Sequence, residues 1–186
     1  MIGVFSAIAA ILMVLEFPVP FAPSFYGLDF SELPALIGAF AYGPVAGVMI
    51  EFCKILIKLV LKPSSTAFVG ELANFSITCM LVLPASVIYL FKKSRKQAIL
   101  GTVVGTLIMT AFGSCFNAIY LLPKFSELYG IPLDAIIGMG TAINPAIHSI
   151  SGLVLMCVVP LNLLKGGLVS LITILVYKKL SPILKL

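Results

Sequence analysis

Long apolar stretches run along this chain, separated by short groups of proline, glycine and charged residues. The pattern predicts six helical segments and no soluble domain, because about 20 apolar residues in a helix cross a hydrocarbon core of roughly 30 Å. A Pro-rich stretch at 17–23 ends the first segment, since proline removes a helical hydrogen-bond donor. The predicted segments are 2–16, 33–42, 45–61, 67–91, 98–122 and 159–180.

The composition indicates the same class. Of the 186 residues, 61% are hydrophobic and 10% are charged, and the mean hydropathy is +1.19. We therefore expect an all-α integral membrane protein, a compact bundle of six transmembrane helices that forms a single membrane domain over residues 1–186. The net charge of +5 does not indicate a nucleic-acid partner, because the basic residues lie at segment ends and form no face with interleaved aromatics. The lipid bilayer is the expected environment.

The basic residues also predict the orientation of the chain. Basic groups occur at 92–96, between the fourth and fifth segments, and at 178–185, near the end of the chain. The positive-inside rule makes both cytoplasmic, and six spans make the two assignments agree. The N- and C-termini are then cytoplasmic, while 17–32, 62–66 and 123–158 lie outside. The last of these is too long to be a plain connection.

Little in the sequence indicates catalysis. His148 is the only histidine, and no serine or cysteine has an evident base partner in a recognisable motif. The phosphate-binding pattern G-x-x-x-x-G-K-[ST] does not occur, so any ATP chemistry must come from another chain. We expect no enzyme activity, no cofactor and no metal site.

A lysine lies inside the last apolar segment, where Lys165 follows Asn162 by three residues. A charged side chain within the bilayer costs roughly 2.5–3.5 kcal/mol on insertion scales, so it usually faces a partner or a polar cavity. An ammonium group beside an amide offers donors and one acceptor to a polyhydroxylated or carbonyl-bearing solute. The alternative is an ion pair between Lys165 and an intramembrane carboxylate, Glu71 or Glu51.

Other polar side chains are predicted on the same outer half of the membrane. They are Asn117 in the fifth segment, Glu71 and Asn74 at the start of the fourth, and Tyr26, Leu28 and Asp29 in the first outer loop. Asn117 could alternatively form an interhelical hydrogen bond, and Asp29 could be a helix cap. The convergence of these residues suits capture of an extracellular small molecule better than a channel, because no repeated ring of charges or carbonyls is evident.

Several motifs, taken in order, carry a family resemblance. They are Leu-Asp-Phe-Ser-Glu-Leu-Pro at 28–34 leading into Phe-Ala-Tyr-Gly-Pro-Val-Ala-Gly at 40–47, Gly-Glu-Leu-Ala-Asn at 70–74, Asn117 ahead of Leu-Leu-Pro, and Pro-Leu-Asn-Leu-Leu-Lys-Gly at 160–166. With them the chain resembles, over nearly its whole length, the riboflavin-specific substrate-binding (S) component of the energy-coupling factor (ECF) vitamin transporters. Leu161 stands where the family pattern has an aromatic residue.

The resemblance implies that six helices hold riboflavin near the outer surface, beneath the first outer loop, in a bacterial cell membrane. It implies that Asn117, Asn162 and Lys165 contact the vitamin, with further contacts from the loop between Tyr26 and Asp29. A transmembrane coupling (T) subunit and two ATP-binding-cassette ATPases are the implied partners. FMN or another vitamin such as thiamine is the alternative ligand. Alternatives of another class are a small intramembrane enzyme that uses Lys165 and an assembly subunit.

The first segment carries small residues at four-residue spacing, Gly3 with Ala7 and Ser6 with Ala10. This spacing lets another helix approach closely in lipid, where packing drives association. The resemblance implies that this face docks the T subunit. The alternative is packing against helices of the same chain.

Overall fold

The computed structural model describes residues 1–180, and the side chains of residues 1–176. Within this range the chain forms nine α-helices and one short pair of strands. The elements are α1 (Ile2–Val14), β1 (Phe17–Pro18), β2 (Gly27–Leu28), α2 (Glu32–Tyr42), α3 (Pro44–Leu61), α4 (Val69–Phe91), α5 (Arg95–Phe116), α6 (Leu122–Tyr129), α7 (Leu133–Thr141), α8 (Ile150–Leu153) and α9 (Val159–Leu180). The strands pair antiparallel, Phe17 with Leu28, and form a hairpin in the first predicted outer loop.

Two π-helical segments join helices that the sequence pattern separates. Asn117–Leu121 joins α5 to α6, and Val154–Val158 joins α8 to α9. The prediction that the fifth segment ends at residue 122 is therefore wrong, because the helical stretch continues to Tyr129. Helix α9 begins at Val159 as predicted, but it continues a helical stretch that starts at Ile150. Pro123 does not stop the helix; it lies in the first turn of α6, directly after the π-helical segment.

Three helical stretches are long and apolar enough to cross a membrane: Val69–Phe91, Arg95–Tyr129 and Ile150–Val176. Helices α1 and α2 are apolar but have 13 and 11 residues, fewer than the roughly 20 that a perpendicular span needs. Helix α3 has 18 residues and carries Glu51, Lys54 and Lys58 along its length. The segment predicted as a long outer connection, 123–158, contains α6, α7 and α8.

Close helix packing forms the body of the bundle. Helix α5 packs on α4 and α9, and α3 packs on α1, α2 and α4. A Cβ at Gly101 or Gly105 of α5 would lie 2.5 Å from a carbonyl oxygen of α4, so only glycine permits this approach.

Helix α1 turns part of its small-residue face inward. Ser6 and Ala10 are fully buried, and α1 packs against α3 and α2. Of the four residues expected to dock a partner, Ser6 and Ala10 are therefore not available on the surface of this chain. Gly3 and Ala7 are exposed. The sequence spacing could not separate the two pairs, because internal and external helix contacts both favour small residues four apart.

Candidate functional site

A cavity of about 750 Å³ lies beneath the hairpin, a volume typical of small-molecule sites. The three segments predicted to lie outside all contribute to its wall. The polar lining includes Tyr26, Asp29, Glu32, Lys58, Lys62, Thr66, Glu71, Asn74, Thr78, Asn117, Asn162 and Lys165. The apolar lining includes Ile77, Met109, Leu121, Phe125, Ile131, Ile136, Met139, Val158 and Leu161.

Lys165 reaches from α9 to the segment that follows the hairpin. Its Nζ atom lies 2.9 Å from Asp29 Oδ2 and 2.5 Å from Glu32 Oε1. The side chains of Lys165 and both acids are nearly buried. The expected alternative partners were wrong, because Glu71 pairs with Lys58 and Glu51 pairs with Lys54. Lys165 thus ties the first loop and the start of α2 to α9.

Asp29 is held as an anion. Burial raises its pKa, but Lys165 and Lys54 lower it by more, so the pKa lies below its ordinary value. The backbone N–H of Ser31 also donates to Asp29 Oδ1 at 2.8 Å. Asp29 therefore has both oxygens bonded, one within its own loop and one to α9, and it anchors the loop to the bundle.

A second buried ion pair lies behind this one. Lys54 Nζ lies 2.5 Å from Glu51 Oε2, donates to Ser31 Oγ at 3.1 Å and donates to Asn74 Oδ1 at 2.9 Å. Glu51 and Lys54 are both fully buried. The polar stripe of α3 thus faces protein, and Asn74, which lines the cavity, already uses its amide oxygen to bind Lys54.

Glu71 lines the cavity with both carboxylate oxygens occupied. Lys58 donates to Oε1, and the hydroxyl groups of Ser64 and Thr66 donate to Oε2 at 2.8 and 3.1 Å. These bonds fold the α3–α4 connection back onto the first turn of α4. The geometry gives Glu71 a part in shaping this connection.

Tyr26 and Asn117 form a hydrogen-bonded pair across the cavity wall. Tyr26 Oη donates to Asn117 Oδ1 at 2.7 Å, and Asn117 Nδ2 donates to the carbonyl of Gly113 at 2.7 Å. Burial raises the pKa of Tyr26, so its hydroxyl stays protonated and remains a donor. Leu28, in contrast, lies outside the cavity lining and packs against the neighbouring apolar cluster.

Two lining residues have a buried polar atom that lacks a hydrogen-bond partner within the described residues. They are Asn162, through Nδ2, and Glu32, through Oε2. The sequence interpretation included Asn162 but missed Glu32 and Thr78, whose hydroxyl donates to Glu32 Oε1 at 3.1 Å. The signal for Glu32 was its position three residues after Asp29, in the same predicted loop.

A membrane-embedded helical bundle with a ligand-sized, partly polar cavity beneath its loops has the form of a solute-binding transport component. Residues 1–177 match the family described as "ECF transporter, substrate-specific component". The chain belongs to this family. Metal-binding groups of three or more His, Cys, Asp or Glu side chains are not found among the described residues.

Relatives match nearly the whole chain. The riboflavin transporter RibU of Staphylococcus aureus (strain TCH60) is 34% identical over 99% of this chain and 90% of its own length. The riboflavin transporter FmnP of Bacillus subtilis (strain 168) is 31% identical over 97% and 90%. A solved structure titled "Structure and mechanism of the S component of a bacterial ECF transporter" superposes with a TM-score of 0.75 and 36% identity, covering 100% of this chain and 95% of that one.

These comparisons confirm the resemblance and the class that it implied. The chain is a multi-pass, all-α bacterial membrane protein with the S-component fold. Its family consists of transport components, which confirms that it is not an enzyme and removes the intramembrane-enzyme alternative.

Proposed function

We propose that this chain captures riboflavin from outside the cell as the substrate-binding subunit of an ECF transporter. The observation that carries the proposal is the cavity beneath the first loop, in a chain similar over 97–99% of its length to two proteins named riboflavin transporters. The cavity supplies both kinds of surface that a flavin requires. Leu121, Phe125 and Leu161 offer apolar walls for the isoalloxazine ring.

The polar groups of the cavity suit the rest of the ligand. Asn162 Nδ2 is buried in the wall without a partner among the described residues, and Lys165 and Asn117 lie in the same lining. Amide and ammonium groups provide donors for ring carbonyls and for the ribityl hydroxyls. We assign ligand contacts to Asn117, Asn162 and Lys165, and a covering role to the loop from Tyr26 to Asp29.

The proposed topology has six spans in one membrane domain over residues 1–186, with both termini cytoplasmic and the cavity outside. The length of α4 supports it, since 23 helical residues separate the cavity end from the basic loop at 92–96 by roughly 35 Å. The positive-inside rule puts that loop in the cytoplasm. Lys185, which also contributed to the prediction, lies outside the described residues.

The proposed partners are a T subunit and two ATP-binding-cassette ATPases. The family description supports a multi-subunit transporter, and the sequence has no phosphate-binding loop of its own. The exposed part of α1, with Gly3 and Ala7, is the proposed docking face. A Cβ at Gly3 would meet no atom within 4 Å, so this part of the helix is open to close approach.

Titration of the purified chain with riboflavin tests the proposal. We expect saturable quenching of flavin fluorescence with one site per chain, and a flavin absorption spectrum in the extract of the purified protein. FMN and thiamine serve as competitors. Absence of saturable quenching, together with tight binding of thiamine, would refute the riboflavin assignment. Stronger binding of FMN than of riboflavin would reassign the ligand.

A further inference from the structure

Glu32 and Asn162 line the cavity, and each has one buried polar atom of complementary hydrogen-bonding character. Glu32 Oε2 is an acceptor and Asn162 Nδ2 is a donor, and both atoms are buried without a hydrogen-bond partner within the described residues. The remaining buried polar atoms of this kind in that range belong to Glu51, Ser114 and Thr173, which do not line the cavity. Buried polar groups are almost always hydrogen-bonded, so a ligand is the expected partner for the two whose residues line the cavity.

Three elements fix the direction of the Glu32 carboxylate. Its Oε1 atom accepts a hydrogen bond from Thr78 of α4 at 3.1 Å and lies 2.5 Å from Lys165 Nζ of α9, while α2 carries the residue itself. The side chain is 1% exposed. With Oε1 held from two sides, Oε2 remains as the free acceptor. A carboxylate beside an ammonium group accepts hydrogen bonds and donates none.

The hydrogen-bonding character of the ligand decides which part of it can meet each group. This step rests on the proposed function. The isoalloxazine ring of riboflavin carries mostly acceptors, whereas the ribityl chain carries hydroxyl donors. We propose that Glu32 is a specificity-determining residue that accepts a hydrogen bond from a ribityl hydroxyl through Oε2, while Asn162 donates to an acceptor of the ring.

The surroundings of the two residues agree with this orientation. Asn162 lies against Gly113, where a Cβ would come within 2.8 Å of its Nδ2 atom, and Asn117 bonds to the carbonyl of the same glycine. In the proposed orientation the ring lies on the side of α5 and α9, next to Leu121 and Leu161. The ribityl chain extends toward α2, where Glu32 and Lys165 meet.

The test compares two ligands on two forms of the full-length protein. Riboflavin and lumiflavin, which has the ring without the ribityl chain, are titrated against the wild type and Glu32→Gln. We expect Glu32→Gln to weaken riboflavin binding roughly 10- to 100-fold, the size of a lost hydrogen bond to a charged group. Lumiflavin binding should change less than about threefold. Equal loss for both ligands, or no loss for riboflavin, would overturn the proposal.

Two further variants separate direct contact from indirect effects. Glu71→Gln alters a cavity-lining carboxylate whose two oxygens are already bonded, so it should change the two affinities by the same factor. Asp29→Asn removes the other carboxylate on Lys165. If Asp29→Asn reproduces the riboflavin-selective loss of Glu32→Gln, the effect acts through Lys165 and the proposal is wrong.

The wild type alone provides a second measurement should Glu32→Gln fail to fold. It must bind riboflavin at least about tenfold more tightly than lumiflavin, because the proposed bond requires the ribityl chain. Equal affinities overturn this inference and leave the proposed function intact. A wild type that binds neither flavin overturns both.

Discussion

Replacement of Lys165 by methionine tests the reasoning about the buried charges most directly. Methionine keeps most of the length of the side chain and removes the ammonium group. Asp29 and Glu32, whose oxygens lie 2.9 and 2.5 Å from Lys165 Nζ, then lose the ammonium group that they share, although Lys54 still acts on Asp29. Breaking a buried ion pair by removing one partner costs about 3–5 kcal/mol. The melting temperature of the purified protein should fall by roughly 6–20 °C.

The assay is a thermal melt in detergent followed by size-exclusion chromatography, with riboflavin titration on the surviving fraction. Lys62→Met is the matched control, because Lys62 pairs with Glu16 at 3.4 Å while both side chains are about half exposed. Such a pair contributes about 1 kcal/mol or less, so its loss should lower the melting temperature by no more than roughly 4 °C.

Adding Asp29→Asn and Glu32→Gln to Lys165→Met should restore part of the lost stability, because the buried carboxylates are then gone. The reasoning is refuted if Lys165→Met and Lys62→Met melt at the same temperature. It is equally refuted if the added substitutions lower the melting temperature further, since the carboxylates would then stabilise the protein without Lys165.

Ala7→Leu should leave riboflavin affinity unchanged and reduce both co-purification with the coupling complex and ATP-dependent uptake. Ala10→Leu, at a fully buried position, should instead lower the melting temperature of the chain itself. Unchanged uptake in Ala7→Leu would show that the docking face lies elsewhere. Tyr26→Phe leaves the buried Asn117 Oδ1 without its donor, so riboflavin binding measured by fluorescence quenching should weaken roughly tenfold, and an unaltered affinity would count against this bond. Because the pKa of Asp29 is lowered in the fold, its ionised form stabilises the protein above the unfolded-state value of 3.8, and this stability disappears as the pH falls through the folded value. Melting temperatures measured from pH 7 to pH 3 should show this loss of stability in the wild type and a smaller loss in Asp29→Asn. Identical pH profiles of the two proteins would contradict the assignment.

The sequence predicts the end of a helix correctly where a change in composition marks it. The fourth segment ends at Phe91 as predicted, because the basic group that follows cannot enter the bilayer core. The two π-helical segments were not predictable, since their residues are as apolar as those of the α-helices on either side. The predicted fifth segment ends before Pro123, but the helix continues through this proline, which directly follows a π-helical segment.

The candidate site was predictable in its residues and less so in its pairings. Burial of a charge in a membrane segment singled out Lys165, and this argument holds whatever the partner is. The partner depends on how the first loop folds over the bundle, which hydrophobic periodicity does not encode. The sequence therefore does not identify Asp29 and Glu32 as the partners of Lys165. It favours Glu51 and Glu71 only because these two residues lie within apolar segments.

The two π-helical segments make the cavity depend on the exact number of residues in its helices. A π turn holds one residue more than an α turn, so every residue beyond it is rotated by roughly 100° from its place on an uninterrupted α-helix. Phe125 and Tyr129 line the cavity because they follow Asn117–Leu121. Deletion of a single residue there would keep the apolar character of the helix and swing both rings out of the wall. Apolar substitutions at the positions of this stretch other than Asn117 and Leu121 should therefore be tolerated better than a deletion.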